Sequence, residues 1–139
     1  MHFYCLSSVY KFAITDPVMS KTCSQFFVAL IDQWSNESAA PRHVCDAFFD
    51  LVYTEFFPGM MQRILDKSFD LKDANQNRVF KEVCRGIWLL KQSNRGQSGF
   101  ETRFLSGLGS TNVANAVHSA SSSKDIEACL MQWKQELER

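Results

Sequence analysis

The chain predicts an all-α fold of antiparallel helical hairpins stacked side by side as an α–α superhelix. Three observations carry that prediction. Apolar residues recur at three- and four-residue steps in every long segment. No segment shows sustained two-residue alternation, and no Asn-Gly or Asp-Gly hairpin turn is present. The long segments follow one another in pairs separated by short turns, and each carries a wide aromatic stripe that only a neighbouring helix could bury. With 45% apolar and 13% aromatic residues in a chain of 139, one domain spanning 1–139 is expected. It would hold about three helical pairs.

Residues 1–14 read as the remnant helix of a preceding pair, with an apolar face at Tyr4, Val9 and Phe12 whose exposure would favour dimerisation. Asp16-Pro17 starts the next helix, because proline lacks only an N–H that the first helical turn leaves unpaired anyway. Met19, Cys23, Phe26, Phe27, Leu30, Ile31 and Trp34 form its stripe. A polar break at 35–38 follows, and Pro41 reopens a helix carrying Val44, Cys45, Phe48, Phe49, Val52, Phe56 and Phe57. Pro58-Gly59 ends or kinks it. A short piece with Met60, Met61, Ile64 and Leu65 leads to Asp73, placed to cap a long helix that buries Val79, Phe80, Val83, Cys84, Ile87 and Trp88.

The glycine-rich stretch 93–99 is the strongest loop signal. Gly107 and Gly109 break the chain again, Val113–Val117 suggests a short helix, and 119–123 is a polar joint. Ser122 with Asp125 has capping-box spacing at the start of the last helix, whose stripe is Ile126, Cys129, Leu130, Trp133 and Leu137.

Fifteen basic residues balance fifteen acidic ones, so no whole-chain field draws the protein to nucleic acid or membrane, and any such binding must come from a local patch. The five cysteines are odd in number and lack a C-x-x-C pair, which argues against disulfides and zinc and for reduced thiols in a reducing compartment. The N-terminus lacks the charge order and cleavage site of a signal peptide. Membrane segments are not expected either, because no apolar run approaches the roughly 18 residues that a spanning helix needs.

Candidate chemistry is thin. His2, His43 and His118 are scattered, so no metal or cofactor is expected. Gly96-Gln97-Ser98-Gly99 lacks the G-K-[ST] ending of a phosphate loop. Asp66, Asp70 and Asp73 flank a turn and a helix start, where carboxylates cap. With no nucleophile and base that sequence can bring together, no catalytic residue is assigned, and a non-catalytic role is expected. The densest positive region comprises Arg63, Lys67, Lys72, Arg78, Lys81, Arg85, Lys91 and Arg95. Steps of three and four residues put Arg78, Lys81 and Arg85 on one helix face, a row able to track a phosphate backbone or to serve as an ordinary solvated face. The candidate RNA-backbone contacts are therefore Arg63, Lys67, Arg78, Lys81, Arg85, Lys91 and Arg95.

The segment Asp16-Pro17-Val18-Met19-Ser20-Lys21-Thr22-Cys23, with Leu30 and Trp34 beyond it, resembles the C-terminal HEAT repeats of the tRNA exportins (exportin-T) of the karyopherin-β, or importin-β, superfamily. The likeness continues through Phe49, Val52-Tyr53, Pro58, Phe69-Asp70-Leu71-Lys72-Asp73-Ala74, Val79, Glu82, Arg95-Gly96 and the closing helix. It implies HEAT/ARM-like repeats and a receptor that exports tRNA with the GTP-bound small GTPase Ran, shuttling between nucleus and cytoplasm past nuclear pore proteins. A chain of this length covers only the terminal part of such a receptor, and the Ran-binding repeats would lie largely outside it. The alternative expectation is a structural or protein-interaction HEAT segment with no RNA binding of its own.

Overall fold

Helix starts fall where the sequence supplies them. The computed structural model describes residues 17–34, 41–92 and 100–138. The expected remnant helix at 1–14, the polar break at 35–38 and the glycine loop at 93–99 lie outside these residues. Helix α1 (Pro17–Trp34) opens at the expected proline. Helix α2 (Arg42–Leu51) follows Pro41, whose carbonyl accepts from the Val44 and Cys45 N–H groups at 3.0 and 3.2 Å.

At Val52–Phe56 the helix widens into a π-helical turn, and α3 (Phe57–Leu65) continues from it. Pro58 gives a physical reason for the widening. Its ring would crowd the carbonyl four residues back, and it has no N–H to donate. Here the Phe57 N–H donates to the Val52 carbonyl, one residue further back than in an α-helix. The Thr54 hydroxyl satisfies the Asp50 carbonyl at 2.8 Å. Pro58-Gly59 therefore does not end the helix, and the run from Arg42 to Leu65 is continuous.

Asp73 caps α4 (Ala74–Gln92): its Oδ2 accepts from the Gln76 N–H at 2.9 Å and its carbonyl from the Asn77 N–H at 2.8 Å. Gln76 Oε1 in turn accepts from the Asp70 N–H at 2.9 Å, tying down the turn before the helix. A second π-helical turn (Phe100–Leu105) and a 3-10 turn (Ser106–Leu108) precede Gly109, whose φ of +77° requires a residue without Cβ. Ser110 and Ser122 then cap α5 (Thr111–Ser119) and α6 (Ser123–Leu137), each hydroxyl accepting an N–H three residues on at 3.3 Å. Asp125 differs from the capping-box expectation. Its carboxylate takes the N–H and hydroxyl of Ser121, at 2.9 and 2.6 Å, instead of closing back on Ser122.

Among the described residues no strand occurs, and the fold is all-α. Helix α1 lies along α4, and α4 lies along α6, so helices distant in sequence stand side by side. The α2–α3 run packs on this set through aromatic rings. Phe27 stacks on Phe56 at 4.5 Å, Trp34 meets Phe48 edge-on at 5.0 Å, and Phe57 meets Phe104 at 5.5 Å. Each such pair adds about 0.5–1.5 kcal/mol to the burial itself. Gly86 lets α1 and α4 approach closely, since a Cβ there would meet Val28 Cγ2 at 3.0 Å and Phe57 Cζ at 3.2 Å.

Two stripe residues fall elsewhere than expected: Phe26 is 43% and Leu137 53% exposed. Ser24 and Lys134 are buried in the corresponding helices, at 0% and 4% exposure. No described helix is long and apolar enough to cross a membrane.

Candidate nucleic-acid interface

Arg78, Lys81 and Arg85 project from the face of α4 opposite its buried residues Val79, Val83, Cys84, Ile87 and Leu90, and all three are exposed. Arg78 and Lys81 make no ion pair with another described residue. Arg85 is engaged on both sides: Nη1 donates to Glu82 Oε1 at 2.8 Å, and Nη2 lies 3.7 Å from Asp32 Oδ2 on α1. These pairs are solvent-exposed and contribute about 0–1 kcal/mol each. They do, however, neutralise one end of the row.

The remaining cations are not gathered with these three. Arg63, in the last turn of α3, donates through Nη1 to Ser68 Oγ at 3.0 Å and lies 5.4 Å from the Phe69 ring centre. Lys67 and Lys72 are exposed in the turn that follows. Lys91 points into the protein, donating to the Ala120 carbonyl at the C-terminal end of α5 and lying over the Trp88 ring at 5.4 Å. A lysine at a helix C-terminus complements the partial negative charge of its unpaired carbonyls. Lys91 thus fastens α4 to the joint between α5 and α6. Arg95 lies outside the described residues.

Two cations missing from the sequence-based set hold the fold together. Lys134 Nζ donates to the carbonyls of Ile64 and Asp66, both at 2.8 Å, and pairs with Glu138 Oε1 at 2.8 Å. It sits one helical turn beyond Leu130 on the stripe, the one signal that could have flagged it. Arg103 Nη2 bonds Asp50 Oδ1 at 2.7 Å, and its guanidinium lies 5.4 Å from the Tyr53 ring centre. Burial pushes the Tyr53 phenol up, an effect that the Arg103 charge opposes.

The titratable groups outside this basic set act locally. Cys45 and Cys84 are buried, and Cys23 and Cys129 are half-buried. Burial pushes the Cys23 thiol up to about 11 and raises Cys84 and Cys129 as well, the reverse of what a reactive thiolate needs. The Ser68 hydroxyl and N–H hold the Asp66 carboxyl below its ordinary value, and Ser121 does the same for Asp125. His118 lines an open hollow of about 480 Å³ with Ser106, Ser110, Thr111 and Asn115. Among the described residues no thiol or carboxylate lines that hollow. No described group of three His, Cys, Asp or Glu residues is arranged to hold a metal ion.

What the α4 face can do is present two cations that have no ion pair among the described residues, three residues apart, with a third shared with carboxylates, to an anionic surface. Comparison of the chain with protein families, with curated proteins and with solved structures gives no match.

Proposed function

We propose that this chain is a non-catalytic binding module: the C-terminal stretch of HEAT hairpins of a nuclear export receptor that shuttles between nucleus and cytoplasm carrying tRNA. Ran-GTP would be engaged mainly by repeats outside this chain, and nuclear pore proteins would be further partners. The supporting observation is the side-by-side row α1–α4–α6, with the α2–α3 run packed against it. Helices stacked side by side with a further run packed on them are compatible with a HEAT superhelix. In this reading the central helix of the layer carries Arg78, Lys81 and Arg85 on its outer face, where phosphates of a folded RNA are met by shape and charge without base reading.

The test is fluorescence anisotropy of labelled tRNAs with the chain at low salt, against the variant combining Arg78→Gln, Lys81→Gln and Arg85→Gln. The expected result is weak binding that the triple substitution reduces for all tRNAs alike. Unchanged affinity in the variant would overturn the interface.

The second reading is a structural or protein-interaction segment without RNA binding, and it has its own support. Arg63, Arg85 and Lys91 are all occupied within the protein. Absence of any tRNA shift by the wild-type chain at low salt would favour it.

A further inference from the structure

Two π-helical turns, a form that makes up well under about 1% of residues in proteins, wall the same hollow. Such turns recur at functional sites because the wide turn displaces side chains from the helical register. Tyr53 belongs to the first turn, and Arg103 and Phe104 to the second. Phe57 and Met61 of α3, Leu108 of the 3-10 turn and Trp133 of α6 complete the walls of a space of about 230 Å³. That is smaller than the roughly 300–1,000 Å³ of pockets for drug-sized ligands, and suits one aromatic ring with a short chain.

The polar groups are few and placed at one side. Among the described residues Arg103 is the only charged one lining the hollow, and Gln62 is the other long polar side chain. Arg103 is 38% exposed, and among the described residues only its Nη2 is committed, to an Asp50 carboxylate that is itself 64% exposed and outside the lining. The other guanidinium N–H groups can still meet a bidentate acceptor. The Tyr53 ring beneath holds the guanidinium in place. A largely apolar chamber with a positioned cation, and no carboxylate lining it among the described residues, complements a small apolar molecule carrying one carboxylate.

We propose that this hollow binds a small aryl-alkyl carboxylic acid, its ring among Phe57, Met61, Phe104 and Trp133 and its carboxylate on Arg103. The site shares no residue with the α4 basic face, so it stands or falls independently of the RNA reading.

The probes are 3-phenylpropionate and 4-phenylbutyrate, their amides, and the cation 4-phenylbutylamine. Each is titrated into the full chain to millimolar concentration while the Trp133 indole N–H and Met61 methyl signals are followed by NMR. Both acids should shift these two signals saturably. The acids should bind about tenfold more tightly than the amides, as expected for one charge-assisted contact of 1.4 kcal/mol, and the amine should bind least. Arg103→Gln should erase the difference between acid and amide, and Arg103→Lys should keep part of it. Equal affinity of acid and amide in the wild type, or shifts that avoid both Trp133 and Met61, would overturn the proposal without recourse to any variant.

Discussion

Replacing Lys134 with methionine isolates the work of one buried ammonium. Methionine keeps most of the apolar stem, so packing against Phe69 and the ends of α3 and α6 is largely retained. The Nζ donor is what disappears. Ile64 is fully buried, and its carbonyl loses a charge-assisted bond of about 1.5–3 kcal/mol with no water to replace it. The Asp66 carbonyl belongs to an exposed residue and can turn to solvent. Glu138, 36% exposed, gives up a pair worth about 0–1 kcal/mol. Against these losses stands the cost of burying the ammonium, which the substitution removes. The carbonyl left behind decides the balance, because an orphaned buried acceptor costs more than the average bond contributes.

The net expectation is a loss of about 2 kcal/mol. With an unfolding entropy of about 2.1 cal/mol/K per residue, a chain of 139 residues loses roughly 7 °C in Tm for that change. Calorimetry on wild type and variant measures it directly. A Tm equal to or above the wild type would refute the reasoning, since it would mean that ammonium desolvation outweighs the carbonyl's need. Glu138→Gln provides the contrast, with an expected change below about 1 kcal/mol.

Ser24→Ala should stabilise the protein by about 1 kcal/mol in urea unfolding, because the Ser24 hydroxyl is fully buried without a hydrogen-bond partner and alanine removes only that group. A destabilised variant would mean that the hydroxyl is satisfied. Gly86→Leu should cost about 1–3 kcal/mol by overpacking, since Val28 and Phe57 are fully buried and cannot swing away, and a neutral result would show that α1 and α4 separate cheaply. Acidification tests the two serine-held carboxylates. Their folded-state values lie below the ordinary 3.8, so they stabilise the fold above that value, and the stabilisation is lost as pH falls below it. Urea midpoints followed from neutral pH into this range should fall less steeply when Asp66→Asn and Asp125→Asn are combined, and parallel curves would remove these two groups from the acid response.

Periodicity made the helices legible, and proline and capping residues made their starts legible. Pro41, Asp73 and Ser122 act through bonds within a few residues, which sequence displays directly, whereas the Ser110 cap is not read from the sequence. What sequence could not display is which cations are engaged elsewhere. Lys91 and Ala120 are 29 residues apart, and Lys134 and Ile64 are 70 apart. Arg103 and Asp50, 53 apart, meet only because two widened turns pack together. Pro58 was legible as a helix breaker, yet a π-helical turn absorbed it, since one slipped bond costs less than abandoning a buried aromatic face through Phe56 and Phe57.

This distribution of the cations sets the size of any electrostatic grip on RNA. Of the seven candidates, Lys91 is engaged at the α5–α6 joint, Arg63 is tied to Ser68, and Arg85 faces two carboxylates. On the α4 row that leaves Arg78 and Lys81 as full contributors. Each neutralised phosphate contributes about 0.7–0.9 to the slope of log affinity against log salt. Two contacts then predict a loss of about tenfold in tRNA affinity between 50 and 200 mM salt, where three would predict about thirtyfold. Arg85→Gln alone should therefore leave the slope near its wild-type value, while Arg78→Gln with Lys81→Gln should bring it close to zero. A slope that survives the double substitution would place the phosphate contacts on some other face of the protein, and the α4 row would then be an ordinary solvated surface.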